Sequence, residues 1–272
     1  MCAQIVAAAC QLPRDVGLPV THWSGALLAE HMAAVGVCVS ARSVQRILAA
    51  AALKPHRQKM WLTSQDDEFR AKRDDVLRVY YDTPDDEHVV CVDEKTMMQA
   101  LERRYTDVPM GPGQPVRREW EYIRHGTLVL HGAFDVRSGK VFGFVCEEHN
   151  EYTFLDLLNL IAAVYPDGRG HIVMDNLSAH DTDEIDAWFE EHPRWQRHFT
   201  PKHASWLNQI ECWFGQLQAR VIRRGSFATR DALKDAVLDY MLWCDEHAEA
   251  FEWTYRPKSW PTKPAPAADG RH

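Results

Sequence analysis

With 272 residues, 46% of them hydrophobic and ten of them Trp, the chain has enough apolar material for one large core and a second small one. No run of about 18 apolar residues occurs, so a membrane-spanning helix is excluded, and the seven cysteines form no CxxC pair, which argues against a zinc site or a disulfide framework and for free thiols in a reducing cytoplasm. The net charge of −8 excludes a uniformly basic surface, yet residues 1–62 carry six Lys or Arg against two Asp or Glu, a distribution compatible with a basic DNA-binding piece ahead of an acidic core.

The opening MCAQIVAAACQLPRD has an apolar stretch with no basic flank before it and does not read as a secretion signal. Thr21-His22-Trp23-Ser24 reads as a helix start capped by Thr21 or Ser24, with Leu27, Leu28, His31 and Met32 following at helical spacing. Gly36 ends that helix. Ser40 caps a second over 41–52, with Val44, Ile47 and Leu48 on its buried face and Arg42, Ser43, Gln45 and Arg46 on its exposed face. Helix, Gly turn, helix is the layout of a helix-turn-helix, whose second helix can enter a DNA groove; a plain helical hairpin with solvated charges has the same pattern. Lys54, His56, Arg57 and Lys59 follow as a basic tail suited to phosphates.

Residues 66–81 read as a linker helix that Pro84 breaks. The apolar run HVVCVDEK (88–95) then ends in carboxylates. Alternation along a strand sends Cys91 and Asp93 to one face and Val92 and Glu94 to the other, so only one of the two acids can face a site. Residues 97–124 are the least regular part, with a Gly- and Pro-containing loop at 110–115. Arg103, Arg104, Arg117, Arg118 and Arg124 flank it and are suited to a DNA backbone or to plain solvation. Trp120 and Tyr122 could stack on a base but are expected to pack. Runs at 126–134 and 140–145 joined by Asp135-Val-Arg-Ser-Gly139 have a hairpin signature, and a helix over 151–165 buries Phe154, Leu157, Leu158 and Ile161.

The stretch HIVMDNLSAH (171–180) repeats the earlier pattern, a short buried strand running out at a carboxylate, Asp175. Strand ends of α/β sheets are where chemistry usually lies, although an Asp there also opens turns or caps helices. A helix near 182–191 and a short strand at 196–199 follow. Over 205–223, Ile210, Phe214, Leu217 and Val221 recur at helical spacing, and Asn208 and Glu211, three apart, share a face beside that stripe. A last helix over 229–246 turns Leu233, Ala236, Val237, Tyr240 and Trp243 inward, and the Pro- and Ala-rich tail after Pro257 is expected to be disordered. Asp93, Asp175 and Glu211 could converge on one point. Three carboxylates so placed stay ionised cheaply only around a cation, and hard oxygen ligands select Mg²⁺ or Mn²⁺.

VDEK, MDNLSAH, FTPKHASWLNQIECWFGQL and RRGSF together resemble the catalytic core of a bacterial insertion-sequence transposase of the mariner-like DDE type. The 35 residues between Asp175 and Glu211 are close to the spacing of that family. The resemblance implies an α/β fold, a ribonuclease H-like catalytic domain with a mixed sheet flanked by helices, preceded by a small all-α helix-turn-helix domain. The divisions expected are 1–62 for DNA binding, 63–86 for the linker helix, 87–256 for catalysis and 257–272 for the tail. Such transposases begin with two helix-turn-helix units and only the second is evident. Residues 1–20 read as the remnant of a connection, so the chain looks truncated or like the downstream product of a split reading frame.

The resemblance also implies the reaction. Asp93, Asp175 and Glu211 match the family's catalytic, metal-binding triad, expected to hold two Mg²⁺ or Mn²⁺ ions for phosphodiester cleavage and strand transfer. Asn176, His180 and Asn208 are candidates for orienting the carboxylates, with turn formation and capping as their alternative roles, and His203 is a weaker candidate for the scissile phosphate. The partners implied are double-stranded DNA, as terminal inverted repeats and target, and a second copy of the chain on paired ends. Two competing readings are a non-catalytic DNA-binding remnant or regulator derived from such a transposase, and a ribonuclease H-like nuclease acting on RNA or hybrids.

Overall fold

The computed structural model describes residues 1–55, 57, 64, 66–176 and 182–257. Lys59, His180 and the tail expected to be disordered lie outside these. The chain divides into two compact units, Met1–Thr63 and Ser64–His272.

The first unit holds α1 (Cys2–Ala9), a 3-10 turn at Pro13–Val16, α2 (Gly25–Ala34) and α3 (Ala41–Ala50). Ser24 and Ser40 cap α2 and α3, each accepting the N–H three residues on, at 3.1 and 3.2 Å, as their positions before apolar runs require. Gly36 ends α2 at φ +87°, a left-handed conformation that suits a residue without Cβ. Residues 1–20, read from sequence as a connection, are part of the core. Ile5 is fully buried against Trp23, Leu28, Met32, Val44 and Leu48, and the Trp23 indole donates to the Gln11 carbonyl at 2.8 Å. A single large apolar residue in an Ala-rich helix leaves too little periodicity to be recognised.

The second unit opens with α4 (Phe69–Asp82) and continues through β1 (His88–Arg103), β2 (Tyr122–Asp135), β3 (Val141–Cys146), α5 (Glu151–Val164), β4 (Gly170–Met174), α6 (Asp183–Glu191), β5 (Trp195–Phe199), α7 (Ile210–Leu217) and α8 (Arg230–Glu246). One five-stranded sheet runs in the order β3-β2-β1-β4-β5, antiparallel across β3, β2 and β1 and parallel across β1, β4 and β5. Val89, Cys91, Leu130 and Val173 face α4, α7 and α8; Val90, Val92, Ala133, Ile172 and Met174 face α5 and α6. A mixed sheet covered by helices is the architecture anticipated.

Four details depart from the sequence reading. β1 and β2 run well into the segment read as irregular, because irregularities between Lys95 and Met98 and between Gln99 and Leu101 shift the register and break the alternation by which a strand is recognised. Trp120, expected to pack, is 91% exposed. The helix read over 205–223 is a 3-10 turn at Ser205–Leu207, then α7, then a π-helical turn at Gln218–Ile222, since Asn208 takes an extended conformation. In α8, Met241 is buried and Trp243 is half exposed.

A chain of side chains ties α4 to the far strands. Glu87 meets His171 Nε2 at 2.9 Å, His171 Nδ1 meets His198 Nε2 at 2.9 Å, and His198 Nδ1 meets Asp75 at 2.7 Å. The bonded His198 imidazole holds the Asp75 carboxyl below the usual carboxylate range, against the opposing effect of burial. A depressed carboxyl stabilises the fold above its unfolded pKa and loses that contribution as the pH falls through the folded value. Asp75→Asn is therefore expected to cost about 0.5–1 kcal/mol at pH 7, modest because the group is half exposed, with the difference from wild type shrinking below about pH 4 in thermal melts.

Candidate active site

β1 and β4 lie side by side in parallel, with Cys91 opposite Val173. Both residues point into the layer beneath α7, and two steps further along each strand stand Asp93 and Asp175, on that same face by alternation. The apolar run of β4 stops at Met174, so Asp175 sits at the strand's end. Glu211 occupies the first turn of α7, whose Ile210, Trp213, Phe214 and Leu217 are buried in the same layer. Of the two acids at the end of HVVCVDEK, Asp93 is the one on this face. Glu94 lies opposite His131 in β2, and its carboxylate is 3.6 Å from the buried His131 ring.

Two contacts hold the helix down on the sheet. Asn208, fully buried, donates through Nδ2 to the Val92 carbonyl at 2.8 Å and stands 3.5 Å from an Asp93 oxygen. The backbone of α7 thereby registers against the residue preceding Asp93. Gly132 pairs with Asp93 across β1 and β2, and a Cβ there would come within 2.9 Å of Ile210 Cδ1 and 3.2 Å of Phe214 Cε1. The missing side chain is what lets α7 lie so close.

Burial above all, then the neighbouring Asp175 and Glu211, pushes the Asp93 carboxyl up to about 8; the Glu94 N–H that donates to it at 2.8 Å only partly offsets this. Like charges close together resist joint ionisation. Among the described residues no group of three or more His, Cys, Asp or Glu is drawn together at ligating distance. Three hard anionic donors on one face nevertheless fit a divalent cation of the Mg²⁺ or Mn²⁺ kind by donor chemistry.

The remaining predicted residues divide. Asn176, next to Asp175, donates to the Thr200 carbonyl and accepts from Lys72 Nζ at 3.3 Å. His203 is a loop residue at φ +61°. Arg118 is forked onto Asp107, its Nη2 at 2.7 Å, so its guanidinium is already engaged; Arg117 is exposed. In the first unit, Arg42, Gln45 and Arg46 are exposed on α3, Ser43 is half-buried with its hydroxyl on Ser40 at 3.0 Å, and Arg57 is exposed. Three residues at the site escaped the sequence reading. Lys72 and Asp66 bridge α4 to it, with Asp66 also accepting the Lys202 N–H at 3.0 Å. The Lys72–Asn176 and Asp66–Lys202 contacts span more than a hundred residues and leave no local signal. Lys95 could have been found, because it sits two residues after Asp93 on the same face.

Residues 88–234 match the family described as DDE superfamily endonuclease. A curated relative, an insertion element IS630 uncharacterized 39 kDa protein of Shigella sonnei, is 23% identical over 238 residues, covering 84% of this chain; the chain spans 66% of that relative's length. Among solved structures, a Mos1 mariner paired end complex with Mn has a TM-score of 0.60 at 17% identity, covering 90% of this chain and 72% of that one. The Mos1 strand transfer complex has a TM-score of 0.59 at 16% identity, covering 91% and 74%. At such identities the likeness is one of fold, and it bears out the ribonuclease H-like architecture expected.

Proposed function

Because the chain belongs to the DDE superfamily of endonucleases, we propose that it is the transposase of an insertion sequence, cutting double-stranded DNA at the element's ends and joining them to a target. The observation that carries this reading is the placement of Asp93 on β1 and Asp175 at the end of the neighbouring parallel β4, on the face against which α7 packs with Glu211 in its first turn. The fold shared with Mos1, captured in complexes that include Mn and paired transposon ends, supports the same reading.

Asp93, Asp175 and Glu211 are the residues that would hold divalent cations, two by expectation. Bound there, such ions supply Lewis-acid stabilisation of charge on the attacking and leaving oxygens of an in-line phosphoryl displacement. The protein's part is positional and electrostatic. Asn208 anchors α7 to the Val92 carbonyl and so sets Glu211 over Asp93. Asn176, next to Asp175, is held by Lys72 and Thr200. With its carboxyl raised to about 8 by burial and by Asp175 and Glu211, Asp93 would have to lose its proton to hold a cation, so cation affinity is expected to rise with pH up to about 8. Arg42, Ser43, Gln45 and Arg46 on α3, with Arg57 beyond it, form the surface read as recognising the terminal repeat. By likeness to the paired-end assemblies, two copies would act on two ends.

No helix among the described residues is long and apolar enough to cross a membrane; a protein that acts on an element's DNA as read here would work in the cytoplasm. The test is cleavage of a duplex carrying the terminal repeat that flanks this reading frame, in Mn²⁺ and in EDTA, beside RNA and hybrid duplexes of the same sequence. Metal-dependent cutting of DNA alone is expected. Binding without cutting would support the non-catalytic remnant, and preference for RNA or hybrid would support the nuclease reading; either would overturn transposition.

A further inference from the structure

We propose that Lys95 is a phosphate-binding residue of this site, its ammonium group gripping the backbone of the DNA strand that lies against the carboxylates. The proposal rests on the reading of the site as a DNA-cleaving centre and adds the group that brings a polyanion to it. Asp93 and Lys95 are two apart on β1 and share a face, which sets their Cα atoms about 7 Å apart along the strand. The Lys95 ammonium lies 5.9 Å from the centroid of the Phe214 ring. Phe214 is three residues after Glu211 on α7, hence on the same side of the helix one turn on. Two independent elements thus bring Lys95 to the edge of the carboxylate cluster.

Its partners, or their scarcity, carry the inference further. Among the described residues Lys95 makes no hydrogen bond or ion pair, although it is half-buried. Neighbouring cations behave otherwise. Lys72 is shared between Asp66, Glu68 and Asn176, Arg103 donates to the carbonyls of Glu119 and Trp120, and Arg118 is forked onto Asp107. The carboxylate whose charge acts on this half-buried ammonium is Glu211, which sets Lys95 at the edge of the acidic cluster, where it is free to take a second anion. A phosphodiester entering beside three carboxylates meets like charge, which a fixed cation at the edge offsets. A bulge follows Lys95 directly: the register shifts between Lys95 and Met98, with Met97 at φ +57°. Bulges next to active sites commonly re-aim a side chain.

The competing explanation is packing alone, with the aliphatic stem of Lys95 covering Phe214. Lys95→Met keeps the stem and removes the charge; Lys95→Arg keeps the charge. Each protein is to be titrated, in EDTA to prevent cutting, with the terminal-repeat duplex and with duplexes whose scissile phosphate and neighbours are replaced one at a time by neutral methylphosphonates, over a series of salt concentrations. For Lys95→Met the expected results are about tenfold weaker binding to the native duplex and a salt slope smaller by about one. At one methylphosphonate position the difference from wild type should vanish, Lys95→Arg should bind as wild type, and the melting temperature of Lys95→Met should not fall. Equal binding by wild type and Lys95→Met, or the same loss on every neutralised duplex, would overturn the assignment to Lys95 while leaving the transposase reading intact. A wild type with no affinity for the terminal repeat would sink both.

Discussion

Asp93→Asn will raise the melting temperature of the cation-free protein and abolish its cleavage activity. The two effects have one cause. In the folded chain the Asp93 carboxyl is held up to about 8 by burial and by Asp175 and Glu211, against about 3.9 in an unfolded chain. For a raised carboxyl the sign is fixed: the folded state is undisturbed below the unfolded pKa, loses stability as the pH climbs toward the folded value, and carries the full cost above it. Asparagine removes that cost. At pH 8 the expected gain is on the order of 1–3 kcal/mol and equals about 3–8 °C for a unit of this size. The gain should vanish near pH 4. Mn²⁺ should raise the melting temperature of wild type and leave the variant nearly unmoved. Cleavage should fall at least about a thousandfold in Asp93→Asn, Asp175→Asn and Glu211→Gln alike, the scale of losing an electrostatic element of transition-state stabilisation. Melts from pH 4 to 9 with and without Mn²⁺, beside single-turnover cleavage, provide the check. A less stable Asp93→Asn that still cuts would remove the triad.

Gly132→Val will damage catalysis out of proportion to stability. Its Cβ would stand 2.9 Å from Ile210 Cδ1 and 3.2 Å from Phe214 Cε1, and valine adds two methyl groups in a fully packed layer. Overfilling of this kind costs about 1–3 kcal/mol, relieved by lifting α7 from the sheet. Glu211 follows Ile210 directly, so any lift moves it away from Asp93. A displacement of about 1 Å at a reacting centre costs roughly a hundredfold in rate. Gly132→Ala should do less, since the Ile210 tip can turn aside, and Gly132→Ala with Ile210→Val should recover most of the activity, a coupling expected only of residues in contact. Full activity in Gly132→Val would mean that the height of α7 over β2 does not position Glu211.

Much of this was legible because it is local. Ser24 and Ser40 announced the starts of α2 and α3, the run before Asp175 announced β4, and strand alternation placed Asp93 and Cys91 together without choosing which acid faced the site. Choosing required Val173 and α7, which lie far along the chain. β1 and β2 read short because irregular pairing around Lys95 to Leu101 erases the period on which strand recognition depends. α7 read long because Leu217 and Val221 continue the apolar spacing while the backbone widens into a π turn at Gln218–Ile222. Arg118 read as a DNA contact because its engagement by Asp107, eleven residues away, follows no helical or strand spacing. Lys72 could not be assigned at all, since what it touches, Asn176, is 104 residues distant.

Glu211 and its neighbours on α7 serve two ends at once. Ile210, Trp213, Phe214 and Leu217 close the apolar layer over Val89, Cys91, Leu130 and Val173, and the residue between Ile210 and Trp213 that completes the acidic cluster comes with them. A polypeptide interrupted before this helix lacks both, leaving a bare hydrophobic sheet that proteases and chaperones recognise. The stretch of chain that closes the core is therefore the same stretch that completes the acidic cluster, so the two are gained or lost together.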